Sequence, residues 1–209
     1  MSSLTCQQLL QQHDEAWQAA TVHPFLVQCQ HGTIQANQFN TWLVQDFLFV
    51  NEFTRMAARL LASAPYAHFD TLLNGLAALQ AELTWFEAKA AERSLTLQAP
   101  PQATCLEYCQ LMASLADAPY AVQATAFWAI ELAYNQGWQR HSPMPEPYAE
   151  FADRWGNPGF TEYVKLLEQQ ADVALAEVAP EIQQQAIAVF LQVAQLEQAF
   201  WQMAFTGSP

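Results

Sequence analysis

The chain has 209 residues, of which 52% are hydrophobic and 13% charged, and its formal net charge is -13 with 7 Lys+Arg. Such a charge repels the phosphates of nucleic acids and of anionic membranes, so we expect neither as a partner. No run of about 18 apolar residues is present, and the first ten residues lack the basic and apolar regions of a signal peptide. These features favour a cytoplasmic protein, and the low fraction of charged residues favours an oligomer in which part of the surface is covered.

Proline and glycine divide the chain into long segments rich in Ala, Leu, Gln and Glu, which are good helix formers. No alternating pattern typical of strands persists, and no linker or internal repeat is visible. In chain order, we predict helices over residues 3–20, 24–32, 36–64, 68–93, 103–115, 120–141, 148–153, 159–178 and 181–205, with turns over 142–147 and 155–158. The sequence therefore predicts an all-α, single-domain helical bundle over residues 1–209.

Cysteines and histidines indicate no metal centre. The four cysteines form no CxxC pair, and the spacing of Cys105 and Cys109 suits helix packing better than zinc binding. We expect all four to be reduced and mostly buried thiols. The histidines are scattered and form no Glu-x-x-His motif, which excludes a di-iron site in a bundle. His23 is a conceivable haem ligand, but its place before Pro24 favours a role at the start of a helix.

Three carboxylates fall within apolar helix stripes, where a charged group must be paired, solvated in a pocket or protonated. Asp46 lies in the stripe of the helix predicted over 36–64. Glu131 and Glu197 occupy corresponding positions in two later helices. The apolar stripe residues are Phe39, Trp42, Leu43, Phe49, Val50 and Phe53 around Asp46, Phe127, Ile130, Tyr134 and Trp138 around Glu131, and Phe190, Ala194, Trp201 and Phe205 around Glu197.

A structural role is the alternative for each of these acids. A buried acid can pair with an arginine, and Arg55 and Arg59 follow Asp46 on its helix, so they could serve one of the three. Cations are too scarce to serve all three acids. For Glu82, beside the apolar face of its own helix, we favour the structural role.

Convergence of the three helices would create an aromatic-walled cavity that carries negative charge. Such a cavity suits a flat aminopyrimidine, because carboxylates bind ring N–H and amino donors while aromatic side chains stack on the ring. The composition alone leaves the ligand open.

The motifs along the chain resemble those of the TenA (thiaminase II-like) family. Its N-terminal signature is matched by His23-Pro24-Phe25, Gly32-Thr33, Phe39 and Gln45-Asp46-Phe47-Leu48-Phe49. Its final-helix motif is matched by Glu197-Gln198-Ala199-Phe200-Trp201. Features of the plant-type branch are Ala129-Ile130-Glu131 with Tyr134, and Trp155-Gly156-Asn157 followed by Phe160 and Tyr163. The ordered set of motifs spans nearly the whole chain.

The resemblance implies a haem-oxygenase-like helical fold that assembles as a homo-oligomer, a dimer or a tetramer. Members hydrolyse thiamin or its breakdown products, aminomethyl- or formylaminomethyl-aminopyrimidine, to hydroxymethylpyrimidine for thiamin salvage. The family requires no haem, metal or other cofactor, so we expect none here.

The resemblance also assigns roles to individual residues. Asp46 would hold the amino group and ring nitrogen of the pyrimidine, and Glu197 would be the general acid and base. The implied walls of the substrate site are Phe49, Tyr134, Trp155 and Phe200, with Tyr108 as a further hydrogen-bonding group.

The sequence departs from the better-known branch at its nucleophile. That branch has a cysteine after a proline, where this chain reads Phe127-Trp128-Ala129-Ile130-Glu131. Glu131 is the natural substitute, so we expect Glu131 or Glu197 to transfer the proton. Burial among aromatic rings and mutual repulsion would raise the pKa of at least one of these carboxyls.

Two other functions fit parts of the same pattern. An oxidoreductase like PqqC or haem oxygenase would require a haem, metal or cofactor site that the sequence does not provide. A non-catalytic pyrimidine-binding or regulatory protein could keep Asp46 and the aromatic walls without needing both glutamates. The chemical necessity of the glutamates separates this alternative from an enzyme.

Overall fold

The computed structural model describes residues 4–207, and all regular structure within that range is helical. This confirms the predicted all-α class. Two short 3-10 helices cover Tyr66–His68 and Leu115–Asp117. The α-helices, in chain order, are α1 Cys6–Gln12, α2 Asp14–Thr21, α3 Pro24–Gln30, α4 Ala36–Ser63, α5 Phe69–Glu92, α6 Ala103–Ser114, α7 Tyr120–Arg140, α8 Ala149–Gly156, α9 Pro158–Ala176 and α10 Pro180–Thr206.

Proline lies at the beginning of several helices, as the sequence predicted for Pro24, Pro119 and Pro180 but not for Pro158, which was placed in a turn. Pro24, Pro158 and Pro180 are the first residues of α3, α9 and α10, and Pro119 directly precedes α7. Proline is tolerated there because the first N–H groups of a helix have no partner within the helix. Across all the helices, most predicted boundaries lie within two residues of those observed.

The first helix was predicted wrongly as one continuous segment over 3–20. It is divided into α1 and α2 at His13, whose backbone leaves the helical region with φ -124 and ψ 33. A capping box at Thr5 starts α1, with the Thr5 hydroxyl accepting from the Gln8 amide. Ser3, the predicted first residue, lies outside the described residues.

The turn predicted over 155–158 begins later, because α8 continues through Gly156. Gly156 lies so close to α7 that a Cβ there would stand 3.1 Å from the Gln139 Cα. The chain leaves the helix at Asn157, whose side chain caps α9 by accepting from the Phe160 amide at 2.9 Å. A glycine used for close approach was therefore mistaken for a turn glycine.

The described chain forms two compact units, and its organisation as a single domain stays a prediction. The first unit contains residues 4–34 and 119–199, and the second contains 35–118 and 200–207. Helix α10 contributes residues to both. No helix within residues 4–207 has the length and apolar character needed to span a membrane.

Helix α7 is the centre of the first unit and packs against α2, α8 and α9. Its residues from Ala121 to Asn135 are all buried, so the buried surface extends all round the helix and beyond the apolar stripe predicted around Glu131. Phe190 of α10 stacks on Trp17 and Trp128, with centroid distances of 5.1 and 6.0 Å.

Helix α4 is the centre of the second unit and packs against α5 and α6. Trp42 contributes to this core and meets Phe86 of α5 with ring centroids 6.2 Å apart. The end of α10 is fastened to α4 by two side-chain amides. Asn37 donates to the Gly207 carbonyl at 3.2 Å, and Gln38 donates to the Phe205 carbonyl.

Candidate functional site

The three carboxylates singled out in the sequence are buried. The exposed fraction is 0% for Asp46 on α4, 8% for Glu131 on α7 and 1% for Glu197 on α10. Helical periodicity therefore predicted their burial correctly. Ionised carboxylates are rarely buried without a functional or structural reason, because desolvation is costly.

In the second unit, three of the predicted wall residues form one aromatic cluster. Phe49 lies one turn after Asp46 on α4, and its ring meets the rings of Tyr108 and Phe200 edge-on at 4.8 and 5.7 Å between centroids. The Tyr108 and Phe200 rings are 6.5 Å apart. Rings on α4, α6 and α10, far apart in sequence, are thus brought together.

The other two predicted wall residues meet in the first unit. The rings of Tyr134 on α7 and Trp155 on α8 lie nearly perpendicular, at 80°, with centroids 5.7 Å apart. The carbonyl of Trp155 accepts a hydrogen bond from the Asn135 amide at 2.8 Å, which holds the end of α8 on α7. Glu131 precedes Tyr134 by one turn of α7, and the same pattern recurs on α10 where Glu197 precedes Phe200.

One thiol of α6 lies close to the Asp46 turn, and a second thiol follows it one helical turn later. The Sγ of Cys105 donates to the Gln45 carbonyl at 3.4 Å. Hydrogen bonding with Cys109, burial and the Asp46 carboxylate together raise the pKa of the Cys105 thiol. The same hydrogen bond lowers the pKa of the half-buried Cys109. All four cysteines are free, as predicted.

The arginines of α4 pair with an acid other than the one considered from the sequence. Arg59 donates to Glu52 at 2.7 Å and Arg55 lies 3.4 Å from the same carboxylate. Glu52 is one helical turn before Arg55 and nearly two before Arg59. Helical geometry thus favoured this acid over Asp46, which lies more than two helical turns before Arg55.

His23 has the role at a helix start that its sequence context favoured. It precedes α3, and its Nδ1 accepts a hydrogen bond from the Phe25 amide at 3.1 Å. Among residues 4–207, no group of three or more His, Cys, Asp and Glu side chains is arranged to hold a metal ion. The expectation that the protein needs no cofactor stays a prediction.

Gln45 is the residue of this region whose role the sequence analysis missed. It is 3% exposed, and its carboxamide bonds to the Pro100 carbonyl and to the Gln102 amide, on either side of Pro101 ahead of α6. In the sequence, only its position next to Asp46 could have indicated that Gln45 has a role in this region. A neutral amide on a helix gives no pattern that would predict such a partner. Gln45 also lines a cleft of about 460 Å³ whose other lining residues are Asn37, Asn40, Thr41, Val44, Leu95, Thr96, Ala99, Gln102 and Gly207.

The chain is similar to known proteins over nearly its full length. The chain is 34% identical to a probable bifunctional TENA-E protein of Glycine max, covering 93% of this chain and 90% of that protein. It is 24% identical to an aminopyrimidine aminohydrolase of Halalkalibacterium halodurans, covering 90% of each. A solved TenA homologue from Pyrococcus furiosus matches with a TM-score of 0.91 at 28% identity, covering 95% of this chain and 98% of that one.

These relatives confirm the TenA-type helical fold that the motifs implied. The model of the TENA/THI-4/PQQC family matches residues 10–207, from α1 to the turn after α10. The chain therefore belongs to the TENA/THI-4/PQQC family.

Proposed function

We propose that this protein is an aminopyrimidine aminohydrolase of thiamin salvage. It would convert aminomethyl-aminopyrimidine and water to hydroxymethylpyrimidine and ammonia, or release formamide from the formylated substrate. The observation that carries the proposal is the fully buried Asp46 carboxylate, one turn before a ring that meets Tyr108 and Phe200. The names of the aminohydrolase and TENA-E relatives support the same reaction class.

Asp46 binds and orients the pyrimidine in this proposal. A carboxylate accepts hydrogen bonds only, so it matches an exocyclic amino group and a protonated ring nitrogen. Phe49, Tyr108 and Phe200 supply aromatic surface, and the Tyr108 hydroxyl supplies a hydrogen bond. Tyr134 and Trp155 are assigned to the same substrate by their match to the family motifs.

Glu131 and Glu197 transfer protons in this proposal. One carboxylate accepts a proton from the attacking water, and a carboxyl returns a proton to the departing amine. Neither step needs a thiol nucleophile, consistent with a chain that has Ala129-Ile130-Glu131 at the position of the family cysteine. Positioned acid–base catalysis of this kind contributes roughly 10²–10⁴-fold.

We also propose that the protein is cytoplasmic and forms a homo-oligomer. The family resemblance and the 13% of charged residues support an assembly. Tyr66, Leu73 and Leu106 are exposed by 86%, 50% and 45% and offer apolar area for it. Light scattering coupled to size-exclusion chromatography distinguishes a monomer from a dimer or a tetramer.

The reaction is tested with three substrates and the purified protein. Aminomethyl-aminopyrimidine, its N-formyl derivative and thiamin are incubated separately, and hydroxymethylpyrimidine and ammonia are followed by chromatography. Release from the first or second substrate, with little from thiamin, is expected. Binding of hydroxymethylpyrimidine without turnover of any substrate would favour a non-catalytic binding protein. Absence of both turnover and binding would show that the protein has no pyrimidine site.

A further inference from the structure

The connection between α5 and α6 contains two adjacent prolines directly ahead of α6. Pro100 and Pro101 have no backbone N–H, so this stretch cannot form a regular pattern of backbone hydrogen bonds. Gln102, the residue at the cap of α6, makes no side-chain capping bond of its own. The start of α6 therefore needs a partner from another element.

Gln45 of α4 is that partner. Its Nε2 donates to the Pro100 carbonyl at 3.3 Å, and its Oε1 accepts from the Gln102 amide at 2.8 Å. One carboxamide thus spans Pro101, with its donor bound to the residue before this proline and its acceptor bound to the residue after it. A side chain of similar length without both functions cannot make the same two bonds.

A third bond extends this attachment into the first turn of α6. The Gln45 backbone carbonyl accepts from the Sγ of Cys105 at 3.4 Å. Asp46 is the next residue on α4, and Tyr108 is one turn beyond Cys105 on α6. The three bonds therefore join the Asp46 turn to the turn that precedes Tyr108.

We propose that Gln45 is a positioning residue of the pyrimidine site, which sets Tyr108 of α6 against Asp46 and Phe49 of α4. The role rests on the proposed function and acts through Tyr108 rather than on the substrate directly. A displacement of about 1 Å in a catalytic arrangement can cost about 10²-fold in rate. The loss of this attachment would shift α6 and leave the chemical groups themselves unchanged.

The test compares Gln45→Met, which keeps the side-chain volume and removes both bonds, with Gln45→Glu, which keeps only the acceptor. Tyr108→Phe is measured alone and combined with Gln45→Met. Arg93→Met is the matched control, since Arg93 also joins the α5–α6 connection to α4, through Asn40 at 3.3 Å. Circular dichroism and thermal unfolding verify that each variant is folded.

We expect Gln45→Met to lower kcat/KM by roughly 10²-fold, Gln45→Glu to lower it less, and Arg93→Met to change it by less than about twofold. In the Gln45→Met background, Tyr108→Phe should add less than about twofold, because residues that act as a unit are not additive. The proposal would be overturned if the losses in kcat/KM from Gln45→Met and Tyr108→Phe multiplied in the double variant. It would also be overturned if Gln45→Met and Arg93→Met lowered kcat/KM equally.

A labelling experiment separates failure of this proposal from failure of the proposed function. Cys105 is buried beneath the attachment, so Gln45→Met should speed its reaction with a thiol reagent, whereas Arg93→Met should not. If the wild-type protein turns over no substrate, the proposed function fails. Faster labelling of Cys105 in Gln45→Met would then still show that Gln45 holds α6 on α4. Unchanged labelling in Gln45→Met would show that Gln45 does not hold α6.

Discussion

The ring of Phe49 meets the ring of Tyr108 edge-on, with centroids 4.8 Å apart and planes at 61°. Phe49→Leu removes this contact while keeping an apolar side chain. We expect KM for the pyrimidine to rise several-fold and the free energy of unfolding to fall by about 1 kcal/mol. Steady-state kinetics and urea unfolding measure the two effects.

Phe53→Leu is the matched control for that substitution. Phe53 stacks on Phe49 at 5.7 Å and is equally buried, but it is assigned no role toward the substrate. The control should lose similar stability and keep KM. Equal changes in KM for both variants would argue that the cluster serves only the core.

Glu197→Gln and Glu131→Gln replace each proposed proton-transfer group by a neutral side chain of the same shape. We expect at least one of them to lower kcat by about 10²–10⁴-fold, because an amide cannot transfer the proton, while the fold is retained. Pyrimidine binding, followed by calorimetry, should persist. Glu82→Gln, at a half-buried position on α5 with an expected structural role, should leave kcat unchanged. Full activity in both glutamine variants would refute the assignment.

Cys109 should be the most reactive thiol of the native protein. Burial raises the pKa values of Cys6 and Cys29, hydrogen bonding with Cys109 raises that of Cys105, and the same bond lowers that of Cys109. At pH 7.5, a disulfide reagent should therefore react with one thiol much faster than with the other three. Cys109→Ser should abolish this fast phase, whereas Cys29→Ser should not. A fast phase that survives in Cys109→Ser would contradict the prediction.

His141 should make stability depend on pH in the mildly acidic range. It is 5% exposed, and its Nδ1 donates to the Gly137 carbonyl at 2.7 Å. Burial lowers the pKa of the ring below its usual 6.5, the Gly137 carbonyl opposes the shift and nearby Arg140 adds to it. As the pH falls, His141 therefore takes up a proton in the unfolded chain at a higher pH than in the folded protein. Its contribution to the free energy of unfolding is full above pH 6.5 and is lost as the pH falls below 6.5.

His141→Asn keeps a donor near the Gly137 carbonyl and removes the titrating ring. The difference in unfolding free energy between pH 7.5 and pH 5.5 should be smaller in this variant than in the wild type. Urea unfolding at the two pH values measures it. An identical pH dependence in both proteins would show that His141 does not contribute.

The features that were predictable from sequence are those with a local physical cause. Proline at helix starts located α3, α7 and α10, and the helical period identified Asp46 as a buried acid. The break at His13 has no proline or glycine to mark it, and the tertiary approach of Gly156 to α7 has no local signature. The Gln45 attachment is a long-range partnership of the same kind.

Both units need residues of α10, which is synthesised after all the other helices described above. The first unit begins with residues 4–34, but it lacks its central helix α7 until residue 140 has been made. The second is interrupted after residue 118, and it lacks Phe200 and the Gly207 carbonyl that binds Asn37 until the end of α10. Neither unit can therefore finish folding on the ribosome before α10 leaves the exit tunnel. Until α10 has emerged, α4 lacks its contacts with Phe200 and Gly207, and exposed apolar surface of this kind makes a nascent chain prone to aggregation.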